Sequence, residues 1–265
     1  MEMVAASKLK RFQKLREQAT PYAEALEGIL NRLLSADMPL EHPLLEKREE
    51  KKSALLVITS DTGLCGSYNH VLVGEAKKFL QTNPKTQVLV GVGKIGVNAL
   101  SRAGHTWFQD FPDTHAVPFE FMITEIGLLI EDLFSEKKVD AVYAIYPHFT
   151  GRSVYHVTTE KLLPFPLKAT AGERLETSSP YILEPSREAL FARLVPIVFA
   201  AKMRMIFMES MISEHMARMN AMHQATENAK ELIDTLVLLR NKIRQAAITK
   251  ELIEIVSGSQ ALKTT

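Results

Sequence analysis

Residues 186–256 read SREALFARLVPIVFAAKMRMIFMESMISEHMARMNAMHQATENAKELIDTLVLLRNKIRQAAITKELIEIV. The stretch contains no glycine and a single proline, Pro196. A helix of about 70 residues runs roughly 105 Å at ~1.5 Å per residue, more than a globular domain of this size buries along its length. Within it, positions alternate strictly by three and four: Phe191, Leu194, Val198, Ala201, Met205, Met208, Ile212, His215, Met219, Met222, Thr226, Ala229, Ile233 and Leu236. Such a spacing is a coiled-coil seam over about six heptads. The seam requires a partner helix. The N-terminal zone is the other candidate in the chain, and the intervening sequence makes that pairing antiparallel. Pro196 is expected to kink the helix, since an interior proline costs up to ~3 kcal/mol. The methionines of the seam fill irregular gaps and slide without precise interlocking. Ordinary core packing accounts for them; a shaft that meets several neighbours in turn is the functional alternative.

Outward from this stretch, Met1 to about Ser35 also reads as helix. Leu26, Ile29, Leu30, Leu33 and Leu34 recur at helical spacing, while Lys8, Lys10, Arg11, Lys14 and Arg16 mark other faces. Pro39 and Pro43 break the pattern. The charged run Glu46 to Lys52 reads as a solvated linker or frayed helix.

Residues 54 to about 166 alternate strands and helices. Short apolar runs at Ala54–Thr59, Gln87–Val92 and Val139–Ile145 read as strands. Tyr68–Leu80, Ile95–Ala103 and Phe121–Ser135 read as helices, and Val154–Pro164 can pair beside the third strand. This alternation predicts an open α/β sheet covered by helices.

The 265 residues carry a net charge of +1, which gives no global field towards nucleic acid or acidic membranes. One cysteine, Cys65, excludes an internal disulfide framework, and a reducing compartment or the cytoplasmic face of a membrane fits best. No apolar run approaches the roughly 18 residues of a membrane span, and no signal peptide is evident at the start.

The segment Gly91-Val-Gly93-Lys-Ile-Gly96 fits G-x-G-x-x-G after a strand and before a helix. Such a turn can hold a pyrophosphate on helix-terminal N–H groups. Here it follows the second strand, and the acids at ribose-binding distance, Asp110 and Asp113, sit in a proline-containing loop. A tight strand-to-helix turn explains the glycines equally well. Cys65 has no adjacent His or basic residue and reads as a buried, inert thiol. His215, on the seam, reads as a packed, hydrogen-bonded core histidine. No catalytic constellation, metal ligand set or cofactor site emerges. Arg240, Lys242, Arg244 and Lys250 make the end of the long helix basic: a solvated face, or a contact with acidic partner loops.

Four segments in order then carry a family resemblance. They are Met1-Glu-Met-Val-Ala-Ala-Ser7-Lys-Leu9, Asp61-Thr-Gly63-Leu-Cys65-Gly66-Ser-Tyr-Asn69, Met216-Ala-Arg218-Met-Asn-Ala-Met222-His-Gln-Ala-Thr226-Glu-Asn228-Ala, and Asn241 to Gly258. Together they resemble the γ subunits of F-type ATP synthases across nearly the whole chain. The resemblance implies an α/β protein: a long antiparallel coiled coil of N- and C-terminal helices plus an open Rossmann-like domain. The expected divisions are 1–38, 53–167 and 186–258. It further implies a rotor without catalytic residues or cofactor, turning inside a ring of α and β subunits. Its other partners would be the ε subunit and the membrane c-ring, and no nucleic acid. The location implied is peripheral, on the cytoplasmic side of the inner membrane. By the same resemblance, Arg218, Gln245, Thr249 and Glu251 would meet the α3β3 ring. The loop with Asp61, Gly63, Cys65, Gly66 and Asn69 would lie at the stalk base, near ε and the membrane ring.

The sequence departs from the family pattern in places. The basic helical lead-in before the first motif is not in it, so either the start is an internal methionine or the shaft is shortened. Thr62 replaces the usual Arg, Lys250 the usual Gln, and Arg240 a common aromatic. Two rivals remain: a dinucleotide-dependent oxidoreductase built on Gly91–Gly96, and a generic coiled-coil scaffold with an α/β head.

Overall fold

The computed structural model describes residues 1–34, 40–114, 118–149, 155–166 and 184–263, with side chains to 259. Pro39, Val154 and the expected domain limits at 38 and 167 lie outside the described residues. The elements are α1 (Glu2–Leu34), β1 (Ser53–Ile58), α2 (Tyr68–Thr82), β2 (Thr86–Val92), α3 (Lys94–Ser101), β3 (Gln109–Phe111), α4 (Phe119–Ser135), β4 (Ala141–Phe149), β5 (Tyr155–Leu163) and α5 (Arg187–Lys263). The chain divides into two compact units, Met1–Met219 and Asn220–Thr265.

In the first unit the sheet has strand order β3-β2-β1-β4-β5. β1 pairs in parallel with both β2 and β4, β2 with β3, and β5 closes the edge antiparallel to β4. All six residues of β1 are buried, as a central strand covered on both faces requires. Leu55, Val57 and Leu89 point to a core with Leu72 and Ala76 of α2 and Leu100 of α3. Leu56, Ile58, Val90, Val142 and Ala144 point to the other core. That second core contains Ile126, Ile130 and Phe134 of α4, Leu26, Leu30 and Leu33 of α1, and α5 from Phe191 to Phe207. The doubly wound arrangement follows from period-two alternation in strands that are apolar on both faces.

The one strand absent from the sequence reading is β3. Asp110 and Phe111 fall in the loop that the sequence predicts over Asp110–Asp113, because three residues with a central Asp carry no strand pattern of their own. The ladder to Val90–Val92 makes it a strand. The charged run 46–52 is not helical. Its side chains dock on the domain: the Arg48 guanidinium lies 4.6 Å from the Phe134 ring centroid, and Glu50 accepts from the Tyr143 hydroxyl at 3.0 Å.

Helix α1 runs antiparallel to the first part of α5, as the sequence predicts. Leu9 packs with Ile212 and Met216, Arg16 meets Glu209, and Arg187 Nε–H donates to the Leu33 carbonyl. α5 is helical on both sides of Pro196, which has no N–H to donate to the preceding turn.

The expected single seam needs correction. Every residue of 206–216 is buried, because α1 lies on one side of α5 and the sheet domain on the other. From Thr226 onwards the seam positions are exposed, Ile233 at 59%.

Candidate functional site

In doubly wound sheets, ligands bind outside the carboxyl ends of the strands where the strand order reverses. Here that point lies between β1 and β4. The crevice is filled by the protein's own helix. α5 passes from the core under α4, at Phe207, to the core under α2, where Ala217 packs. Between them it crosses the ends of β1 and β4. The Tyr68 hydroxyl donates to the Ser210 carbonyl at 3.3 Å, and the Ser213 hydroxyl to the Pro147 carbonyl at 3.5 Å. Burial drives the Tyr68 hydroxyl well above its usual pKa, with the Glu214 charge adding to the effect.

The residues that make the crossing are polar and buried: Glu209, Ser210, Ser213, Glu214, His215 and Arg218. Buried charges are tolerated when paired and hydrogen-bonded. Arg218, 7% exposed, lies 2.8 Å from Glu214 one turn earlier. Its Nη2–H donates to the Thr62 carbonyl at 3.2 Å and to the Thr62 hydroxyl at 3.0 Å, and its Nε–H to the Gly63 carbonyl at 3.4 Å. Its Nη1–H donates to His215 Nδ1 at 3.1 Å. The His215 ring, 1% exposed, stacks on Phe12 of α1 at 5.7 Å, the packed core histidine that the sequence suggests.

The loop that receives Arg218 is the Asp61–Asn69 segment. Asn69 ties it down from inside: its Oδ1 accepts from the Ser60 N–H at 3.1 Å, and its Nδ2–H donates to Ser60 Oγ at 2.7 Å and Cys65 Sγ at 3.2 Å. The Cys65 thiol is buried, as expected. Leu64 and Gly66 take left-handed backbone, with φ of 64° and 60°. The turn thus exposes Thr62, Gly63, Leu64 and Gly66 at its surface.

Asp61 serves a different purpose. Its Oδ1 accepts from the Lys94 N–H at 3.1 Å, and its Oδ2 accepts from the N–H of Thr114 at 2.8 Å and from the Thr114 hydroxyl. Ile95 N–H donates to the Ser60 carbonyl at 3.1 Å and Gly96 N–H to Thr59 Oγ1 at 3.0 Å. The first turn of α3, the pyrophosphate seat of a dinucleotide-binding fold, therefore has a carboxylate, a carbonyl and a hydroxyl of the same chain on its amides. The glycines of Gly91–Gly96 serve this packing. A Cβ on Gly93, where φ is +90°, would lie 2.2 Å from the Thr59 carbonyl oxygen, and one on Gly96 2.4 Å from Thr59 Oγ1.

A second cluster on the crossing was not singled out from sequence. Glu209 Oε2 accepts from His148 Nδ1–H at 2.6 Å, and Oε1 lies 3.4 Å from Arg16 Nη2. Arg16 in turn stacks over the Phe149 ring at 5.9 Å. The signal was present: Glu209 and Glu214 are charges set among Met208, Met211, Ile212 and Met216.

The site expectations divide accordingly. Arg218 and the Asp61–Asn69 loop, expected at separate places, form one site. Gln245, Thr249 and Glu251 lie in the second unit and are exposed; the Thr249 hydroxyl donates to the Gln245 carbonyl at 2.8 Å within the helix. Among the described residues no group of acidic, His or Cys side chains is arranged to hold a metal ion.

A doubly wound domain whose switch-point crevice is filled by its own long helix defines a class of α/β proteins that carry such a helix across the carboxyl ends of the sheet. Comparison with known proteins narrows the class. A sequence model of the family described as ATP synthase matches residues 1–262. The ATP synthase gamma chain of Parabacteroides distasonis is 37% identical over 262 residues, covering 98% of this chain and 91% of the relative. That of Moorella thermoacetica is 38% identical, covering 99% and 92%. The chain belongs to the ATP synthase gamma-chain family, the non-catalytic central-stalk subunits. The fold agrees: the central stalk of the Tetrahymena thermophila mitochondrial ATP synthase superposes with a TM-score of 0.63 at 25% identity, over 85% of this chain and 97% of that one. A chain of the Euglena gracilis mitochondrial enzyme, at 18% identity, shares the fold with a TM-score of 0.55 over 98% and 94%.

Proposed function

We propose that this chain turns inside a ring of α and β subunits and couples ion flow through a membrane c-ring to ATP synthesis or hydrolysis at the β subunits. One observation carries the reading. In the second unit, Leu236, Val237, Leu238 and Leu239 are consecutive and exposed, Leu238 at 71%. At about 100° per residue, four consecutive side chains go round the whole circumference of a helix. Leu232, Ile233, Ile243, Leu252, Ile253, Ile255 and Val256 are exposed in the same way. One partner helix covers one stripe. A helical turn apolar all round, as at 236–239, calls for a surrounding sleeve, and a ring of subunits is such a sleeve.

Gln245, Thr249 and Glu251 are the polar contacts proposed within that sleeve. Arg218, expected to meet the ring, is buried and holds the Asp61–Asn69 loop instead, and the exposed surface of that loop is proposed to face the ring in its place rather than lie beside the membrane. The ε subunit and the c-ring then take the remainder of the α/β domain. No described helix is long and apolar enough to cross a membrane. Membership of the gamma-chain family supports a proposed place as a peripheral component on the cytoplasmic side of the inner membrane.

Affinity capture of the tagged chain from its native membranes, with an ATPase assay on the eluate, tests this. Co-elution of α and β subunits with ATPase activity is expected. Elution of the chain alone overturns the proposal. Dinucleotide binding by such a lone chain would restore the glycine turn as the functional signal.

A further inference from the structure

Resting on that reading, we infer that Glu209 is the pin through which the α/β domain turns α5, held between His148 at the end of β4 and Arg16 of α1. Torque delivered to the α/β domain has to pass into the helix across the crossing described above. Around its polar groups that contact is apolar and rich in methionine: Met203, Met208, Met211 and Met216 are all buried. Such surfaces resist separation but resist sliding weakly, because dispersion contacts have little direction and methionine re-packs easily. Directional resistance comes from charge-assisted hydrogen bonds of fixed geometry.

Glu209 makes such contacts towards both neighbours of α5. It is 7% exposed, so its carboxylate stays among protein partners. The 2.6 Å contact from His148 ties the helix to the sheet, and the weaker 3.4 Å contact from Arg16 ties it to α1. One turn on, the 3.5 Å bond from Ser213 to the Pro147 carbonyl repeats the link at the residue before His148. A helix with its side chains is about 10–12 Å across, so these groups act at an arm of about 5 Å from its axis. Tangential force there is opposed by bond direction, which the surrounding methionines do not supply.

The two arms make different predictions. His148→Phe removes the link to the torque-receiving sheet. Arg16→Met removes only the link to α1, which packs against α5 along its length in any case. In the assembled, membrane-bound complex, Glu209→Gln and His148→Phe are expected to lower ion-driven ATP synthesis about fivefold, while ATP hydrolysis stays within about twofold, since charged hydrogen bonds are roughly twice as strong as neutral ones. Arg16→Met is expected to change the synthesis-to-hydrolysis ratio by less than about twofold, its contact being partly solvent-screened. His148, with 46% of its side chain exposed, is replaceable without disturbing a core, so the test survives if Glu209→Gln does not assemble. An unchanged ratio in His148→Phe refutes the pin. So does an Arg16→Met effect as large as that of His148→Phe, which would mark the cluster as packing alone. Failure of the underlying reading looks different: the unaltered chain is then missing from the ATPase complex before any variant is compared.

Discussion

Arg218→Met tests how firmly the loop after β1 is fixed to α5. The substitution keeps a side chain of similar length and removes the guanidinium. Lost with it are the 2.8 Å pair to Glu214 and the bonds to Thr62 and Gly63 at 3.0–3.4 Å. Both side chains of the pair are nearly buried, 8% and 5% exposed, so solvent screening is slight. Removing one partner of a buried pair destabilises by ~3–5 kcal/mol, because a charge stays behind in a poor environment. An expected loss of about 4 kcal/mol corresponds to a fall in Tm of about 10 °C for a chain of this size. Arg218→Lys keeps the charge but loses the fork, and about half that loss is expected. Adding Glu214→Gln to Arg218→Met should recover part of the loss, with a coupling of about 1–3 kcal/mol across the cycle. The assay is urea unfolding of the full chain followed by fluorescence of its single tryptophan. Trp107 reports on the α/β domain, since its indole N–H donates to Ser101 Oγ at 2.9 Å and the Val97 carbonyl at 3.3 Å. A loss below ~1 kcal/mol for Arg218→Met, the range of an exposed ion pair, would refute the buried-clamp reasoning.

Gly93→Ala places a methyl 2.2 Å from the Thr59 carbonyl in left-handed backbone, and a loss above ~3 kcal/mol is expected by the same unfolding assay. Thr59→Ala should lose only ~1 kcal/mol, the value of a typical hydrogen bond. Glu131 gives a pH dependence. Burial, helped by Asp132, lifts its carboxyl to about 7, above the ordinary 4.5. Between those values the folded state holds the proton and the unfolded state does not, so stability falls as pH rises from about 4.5 to 7. The side chain is half-buried, so screening reduces the effect, and Glu131→Gln is expected to stabilise by about 1 kcal/mol at pH 8 and not at pH 4, measured by Tm. Replacing Gln245 and Thr249 together should lower coupled ATP synthesis by about tenfold with the Tm of the chain unchanged, because both are exposed. Loss of assembly instead would make those positions structural.

The sequence by itself determined the helices and every described strand but β3, because their signals are local. A glycine-free run with three-four spacing is a helix wherever it lies, and Leu55-Leu56-Val57 has the period and branching of a strand buried on both faces. The four ordered motifs carried the family for the same reason: each is contiguous. What the tertiary structure decided is which atoms face which. Gly91–Gly96 reads as a phosphate seat until Thr59, Ser60 and Asp61, more than thirty residues earlier, are found on its amides. Arg218 reads as an outward contact until the chain brings back Thr62, 156 residues away, beneath it. Glu209 is one acid in a helix until β4 delivers His148 and α1 delivers Arg16. The seam likewise has a helical period along its whole length, yet it is buried at Ile212 and His215 and exposed at Ile233. Periodicity follows from the backbone geometry of consecutive residues, whereas the partner of a buried charge is set by where distant segments cross.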